Sequence, residues 1–155
     1  MNGNNLGSRG EGWVFLQLVL FLLFILAPQV GPAWPASITF RIVGAVVLLG
    51  GFAVLTYSVF SLGRALTPFP RPLPNAELVT SGAYRFVRHP MYFGLLLALL
   101  GFSLLSLSAL RLILTLLFAV FFDRKASSEE RWLAERYPQY RAYQVGVKKL
   151  VPWLW

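Results

Sequence analysis

The run Arg88-His89-Pro90-Met91-Tyr92-Phe93-Gly94 stands at the mouth of an apolar segment that extends from Met91 toward Leu110. Pro90 suits the first turn of a helix, where its missing N–H costs no hydrogen bond. His89 then falls at the cap, beside the N–H groups that the first turn leaves unpaired. Arg88 and Arg85 lie just outside, at the level of lipid headgroups. The stretch therefore reads as a polar, aromatic rim above a membrane helix, and it fixes the expected fold class: an all-α, polytopic membrane helix bundle.

The rest of the chain agrees. Its 155 residues are 57% hydrophobic and only 13% charged, with a mean hydropathy of +0.63. Soluble domains carry about 25% charged residues. The net charge of +8 could suggest nucleic acid. However, the basic residues flank apolar runs instead of forming a basic domain, so the expected partner is the lipid bilayer, with no nucleic acid. With no Cys and a single His, disulfides, Cys nucleophiles and a His- or Cys-based metal site are not expected.

Working outward gives four apolar spans. Residues 1–12, rich in Gly, Asn and Ser, read as a disordered N-terminus, and 13–155 as one membrane domain. The first helix covers Trp13 to Ala27. It has no clear small-x-small cleavage site after it, so it reads as a retained helix and not a signal peptide. The second runs from Ile38 to Leu62, with Gly44, Gly50, Gly51 and Ala53 offering a close approach to a neighbour. A broken segment follows, holding Pro68, Pro70, Pro72 and Pro74, which is neither helix nor central strand. Its second half, Leu78 to Tyr84, reads as ordered and folded back on the membrane face. The third helix spans Pro90 to Leu107. The fourth is apolar from Ala109 to Phe122, then continues through Asp123, Arg124 and Lys125 to Arg136 as an extension into water. The tail to Trp155 mixes aromatics with cations, an interfacial composition. Arg and Lys cluster in the second connection and the C-terminal part, which puts both termini and the extension on the cytoplasmic side of a bacterial or archaeal type of membrane.

A short polar turn, Ser106 to Ser108, makes the third and fourth helices antiparallel neighbours. Their cytoplasmic ends should meet, with His89, Tyr92 and Gly94 facing Lys125, Glu129 or Glu130. Lys125 and Glu129 share a helix face. Gly94 would let a ligand reach the backbone. Each residue also has a plain structural reading: His89 as a cap, Tyr84 and Tyr92 as interface anchors, Glu129-Glu130 as solvated surface, Lys125 as a positive-inside charge.

Leu78 to Tyr84, then Arg88 to Gly94, then Glu129-Glu130 with Leu133, Tyr140 and Tyr143, resemble the isoprenylcysteine carboxyl methyltransferase family, to which phospholipid N-methyltransferases are related. The resemblance covers about 62–152 and leaves the first helix outside. It implies an integral membrane enzyme that transfers methyl from S-adenosylmethionine to a lipophilic or small acceptor. It also implies a cofactor site of Glu77, Leu78, Val79, Tyr84, His89, Pro90, Met91, Tyr92, Gly94, Glu129 and Glu130. In the prenylcysteine enzymes an Arg four residues before the Glu meets the substrate carboxylate. Here Lys125 holds that position with Arg124 beside it, and Lys lacks the bidentate fork.

Two other classes stay open at this point: an NADPH-dependent intramembrane reductase, although the sterol reductases that share part of this architecture are much larger, and a non-catalytic small membrane protein. A soluble Rossmann-type methyltransferase is excluded by the lack of a Gly-rich strand–turn–helix fingerprint. The residues do not name the methyl acceptor or the oligomeric state.

Overall fold

Two helices of this protein meet on glycine. The computed structural model describes residues 10–31, 34–67, 69 and 77–154. Within them, α1 is Glu11–Leu26, α2 Ser37–Leu62, α3 Pro90–Leu105, α4 Ala109–Arg136 and α5 Tyr140–Gly146, with short 3₁₀ turns at Gly63–Ala65 and Gly82–Arg85. The expectations for residues 1–9, for Pro68, Pro70, Pro72 and Pro74, and for Trp155 fall outside the described residues. The described residues form an all-helical fold, with a single isolated parallel bridge, Val87 to Lys148, in place of a sheet.

Gly44 and Gly51 on α2 face Gly101 and Gly94 on α3, and each pair is spaced by two helical turns. A Cβ built on Gly51 would lie 2.5 Å from the Ala98 nitrogen, and one on Gly94 2.8 Å from the Leu55 nitrogen. The two backbones are thus in direct contact, an arrangement that only glycine permits. This corrects the role expected of Gly94: its missing side chain makes room for α2, not for a ligand. Gly50 has nothing within 4 Å of its Cβ position and belongs to an outer face.

α4 packs on α3, and α1 on α4, through aromatic side chains. Leu20, Phe24, Leu99, Phe118, Phe121 and Phe122 form the core. Ser108 caps α4 by accepting from the Arg111 backbone N–H at 3.3 Å. The Arg111 guanidinium reaches across to the end of α1 and donates to the Ala27 carbonyl at 2.8 Å, meeting a carbonyl the helix leaves unpaired. α1 begins at Glu11, two residues before its expected start, so Glu11 and Gly12 belong to its first turn.

The outward faces are apolar. Phe15 and Leu22 of α1, Ile42, Leu49 and Phe60 of α2, and Ile113 and Leu116 of α4 are all exposed. α2, continued by its 3₁₀ turn to Ala65, is long and apolar enough to cross a membrane. α1 and α3 are apolar but shorter. The last turns of α4 carry the charges, and α5, unforeseen in the tail, folds back beside them.

The glycine contacts give a direct test. Gly51→Val should abolish the cooperative thermal unfolding of the detergent-solubilised protein, because the backbones must separate. Gly50→Ala should leave the melting temperature unchanged or raise it, with up to about 1 kcal/mol gained from helix propensity. Equal melting temperatures for both variants would refute the backbone contact.

Candidate active site

α3 starts where Pro90 removes an N–H that no carbonyl needs, and the preceding residue, His89, sits at its N-cap. The tail holds that corner in place. The Arg88 and His89 backbone N–H groups donate to the Lys148 and Lys149 carbonyls at 2.8 and 3.0 Å. The His89 ring is buried and lies between two carboxylates. Its Nδ1 is 3.4 Å from Glu129 Oε2 and its Nε2 3.2 Å from Glu130 Oε1. Consecutive glutamates on a helix point about 100° apart, yet here both reach the same imidazole from its two sides.

Burial alone would lower the His89 pKa. Hydrogen bonds to Glu129 and Glu130, and their charges, outweigh it and hold the pKa above its ordinary value. Burial alone would raise Glu130. Hydrogen bonds from His89 and Arg88, with their charges, hold it down at about 2. With its pKa held above the ordinary value and a carboxylate at each nitrogen, protonated His89 can donate to both glutamates at once.

Arg88 is withdrawn from solvent and paired within the protein. Its Nε donates to Glu130 Oε1 at 2.6 Å. Its Nη1 donates to the Gln144 carbonyl at 3.0 Å and to the Val147 carbonyl, capping the C-terminal end of α5. Gln144 Nε2 donates to the other Glu130 oxygen at 3.2 Å. Lys149 Nζ meets Asp123 Oδ1 at 2.5 Å and Ser127 Oγ at 2.7 Å. The tail is thus tied to α4 as well as to the start of α3.

Glu129 faces the opposite way, into a cavity of about 540 Å³, within the range of about 300–1,000 Å³ typical of small-molecule sites. The Tyr92 hydroxyl donates to Glu129 Oε1. The Tyr92 ring stacks between His89, at 5.5 Å and 8°, and Phe122, at 4.8 Å and 14°. Tyr84 is buried, and its carbonyl accepts from the Tyr143 hydroxyl. The 3₁₀ turn around Tyr84 is pinned to α2, where Ser61 Oγ accepts from the Ala83 N–H at 3.1 Å.

Of the residues singled out from sequence, Glu77, Leu78, Val79, Tyr84, His89, Met91, Tyr92, Lys125 and Glu129 line this one cavity. Pro90, Gly94 and Glu130 do not line it. Pro90 starts the helix, Gly94 packs on α2, and Glu130 pairs with Arg88 and His89. Arg124 is exposed and also lies away from the lining. Sequence reasoning missed the wall supplied by α1, namely Val14, Gln17 and Leu18, and the contribution of Tyr137, while Tyr140 and Tyr143, which carried part of the resemblance, also line the cavity. A lone Gln in an otherwise apolar helix was the available signal for the first of these.

The bridging imidazolium sets a pH window for stability. Glu130 is depressed, so its contribution is complete above 4.5 and is lost as pH falls toward about 2. His89 is raised, so its contribution is complete below 6.5 and is lost as pH rises through the folded-state value. The melting temperature of the purified protein should therefore fall off on both sides of the interval from 4.5 to 6.5. His89→Gln should flatten the alkaline limb, and an unchanged limb in that variant would refute the bridge. Arg88→Met, which strands a buried carboxylate, should cost about 3–5 kcal/mol.

This geometry can be set beside known proteins. The family profile of the phospholipid methyltransferases matches residues 39–140, well over half the chain. Methanethiol S-methyltransferase of a Pseudomonas species is 29% identical over 147 residues, covering 87% of this chain and 56% of that protein. A probable protein-S-isoprenylcysteine O-methyltransferase of Oryza sativa subsp. indica is 28% identical over 134 residues, covering 84% and 68%. The cobalt-zinc-cadmium resistance protein CzcN of Cupriavidus metallidurans is 39% identical over 70 residues, covering 44% and 32%. The chain thus spans about a third of the CzcN protein and about half of the methanethiol enzyme. The matched stretch takes in α3, most of α2 and all of α4, and so the His89–Glu129–Glu130 cluster itself: the chain belongs to the phospholipid methyltransferase family.

Proposed function

We propose that this protein is an integral membrane methyltransferase that uses S-adenosylmethionine and acts on a carboxylate-type acceptor, small or lipophilic, at the cytoplasmic membrane face. The observation that carries the reading is the pairing of opposite charges on one wall of one cavity. Glu129 offers a carboxylate and Lys125, one turn earlier on α4, offers an ammonium. The two are not ion-paired with each other: among the described residues, Glu129 is engaged by Tyr92 and His89, and Lys125 by Gln17. The cavity therefore has a pole for cations and a pole for anions.

The residues fit the cofactor. Glu129, with a side chain mostly withdrawn from water, suits an amine or a sulfonium, and the Tyr84 ring suits a soft cation. Leu78, Val79, Met91 and Leu95 supply apolar walls. When bound, S-adenosylmethionine supplies a methyl group on a sulfonium, and transfer to an anion leaves a neutral thioether and a neutral methylated product. The chain's own task is alignment and the exclusion of water. Lys125 would orient the acceptor anion. A carboxylate or thiolate has no proton to lose, so this chemistry asks for no general base.

The membrane placement rests on the apolar outer faces. α2 has 26 residues, about 39 Å of helix, enough for a hydrocarbon core of about 30 Å. α1, α3 and the apolar half of α4 would complete four spans, with both termini on the cytoplasmic side. Reporter fusions after Ser108 and at the C-terminus should report opposite sides of the membrane. The same side for both would overturn the four-span arrangement.

Calorimetry with S-adenosylhomocysteine tests the cofactor assignment. Glu129→Gln should weaken binding by about 2–4 kcal/mol, since a charged partner is lost from a largely dry site. Glu130→Gln should lower stability with a smaller effect on binding, because Glu130 faces Arg88 and not the cavity. Parent-like affinity in Glu129→Gln would refute the placement of the cofactor.

A further inference from the structure

Lys125 is 3% exposed, and a buried ammonium is costly unless its protons are hydrogen-bonded. It has three N–H donors. Among the described residues it makes one hydrogen bond, 2.6 Å to Gln17 Oε1. The face of the Tyr92 ring, 5.2 Å away, adds a cation–π contact. Glu129 is too far for an ion pair. The ammonium thus faces the cavity with donors to spare.

Gln17 has the matching property. An ammonium can only donate, so the amide oxygen is the atom that must face Lys125. The Gln17 NH₂ group is then turned elsewhere, and it has no hydrogen-bond acceptor among the described residues. Gln17 itself lines the cavity, between Val14 and Leu18. Its place in α1 is set at both ends of the helix. Trp13 packs on Phe121 with ring centroids 5.7 Å apart, and Arg111 holds the far end through the Ala27 carbonyl.

We propose that Gln17 is a specificity-determining residue: together with Lys125 it forms a two-point site for the anionic group of the methyl acceptor. One N–H of the ammonium and one of the amide form the two prongs, with the Lys125–Gln17 hydrogen bond holding them in register. An arginine supplies two parallel donors from one side chain, whereas lysine is a point charge. Here the second prong comes from another helix. The anion is a carboxylate or a thiolate. This inference deepens the methyltransferase reading and depends on it.

The test uses the full-length protein in detergent and three measurements. The first is calorimetric binding of S-adenosylhomocysteine. The second is calorimetric binding of N-acetyl-S-farnesylcysteine against its neutral carboxamide, without cofactor. The third is methyl transfer to N-acetyl-S-farnesylcysteine and to methanethiol. The parent should prefer the carboxylate over the carboxamide, or turn over methanethiol if the anion is a thiolate. Gln17→Leu should reduce that preference, or the methanethiol kcat/KM, about tenfold, with S-adenosylhomocysteine affinity kept within twofold. Gln17→Glu provides a variant that folds, since its carboxylate satisfies Lys125. By filling the anion's place it should abolish the preference outright. Parent-like preference in either variant overturns the proposal, as does a parent that binds S-adenosylhomocysteine but neither binds nor methylates any anion of the panel. A parent that fails to bind S-adenosylhomocysteine instead overturns the methyltransferase reading on which the proposal rests.

Discussion

The imidazolium of His89, held between Glu129 and Glu130, is the interaction on which the rest of this architecture depends. Buried charges persist only when they are paired and hydrogen-bonded, and each partner here comes from a different segment. His89 and Arg88 lead into α3, and the glutamates sit on the extension of α4. Gln144 and the Val147 and Lys149 carbonyls come from α5 and the tail. Arg88 against Glu130, and His89 against Glu129, balance two positive groups with two negative ones. Removing any one member leaves another uncompensated. The cost of dehydrating these groups therefore makes three segments, distant in sequence, fold as one corner.

That corner is also what leaves Glu129 available. Glu130 absorbs the arginine, the glutamine and half of the imidazole, so Glu129 is free to turn its outer edge to the cavity. Tyr92 is held by Glu129 through its hydroxyl and by His89 and Phe122 through its ring faces. A structural ion pair and a cavity-lining carboxylate thus occur at adjacent positions, separated by the rotation of the helix.

Helix starts, helix ends and the convergence of α3 with α4 were legible because their signals are local. Pro90 after a capping position, Ser108 before an apolar run and Pro138 after Arg136 are each decided within a turn or two. The order of the loop residues Leu78 to Tyr84 was legible from their apolar residues and Ser-Gly turn, whereas nothing local says that the Ala83 N–H docks on Ser61. The partners of Arg88 were not legible, because positive charge beside an apolar run ordinarily means headgroups. The competing requirement, two unpaired carbonyls of a short helix more than fifty residues later in the chain, is not visible in sequence. Gly94 was misjudged for the same reason. A glycine near a site and a glycine at a helix crossing look alike until the partner, Gly51 with its register mate Gly44, is placed.

The two walls of the cavity differ in how firmly they are built. α2 and α3 are locked backbone to backbone, with no side chains between them to yield. α1 is attached through ring contacts, one arginine and the Lys125–Gln17 hydrogen bond, and it lies outside the stretch matched by the family profile. A side chain on α1 can change without disturbing the glycine contacts or the buried charge cluster. In the proposed division of labour Glu129 and Lys125 both stand on α4, the cofactor pole being completed by Tyr92 of α3 and the acceptor pole by Gln17 of α1. A lysine in place of an arginine at position 125 then follows physically. On that proposal the point charge of the lysine leaves a place for a second donor from α1, and that donor, an amide here, would set which anion is recognised.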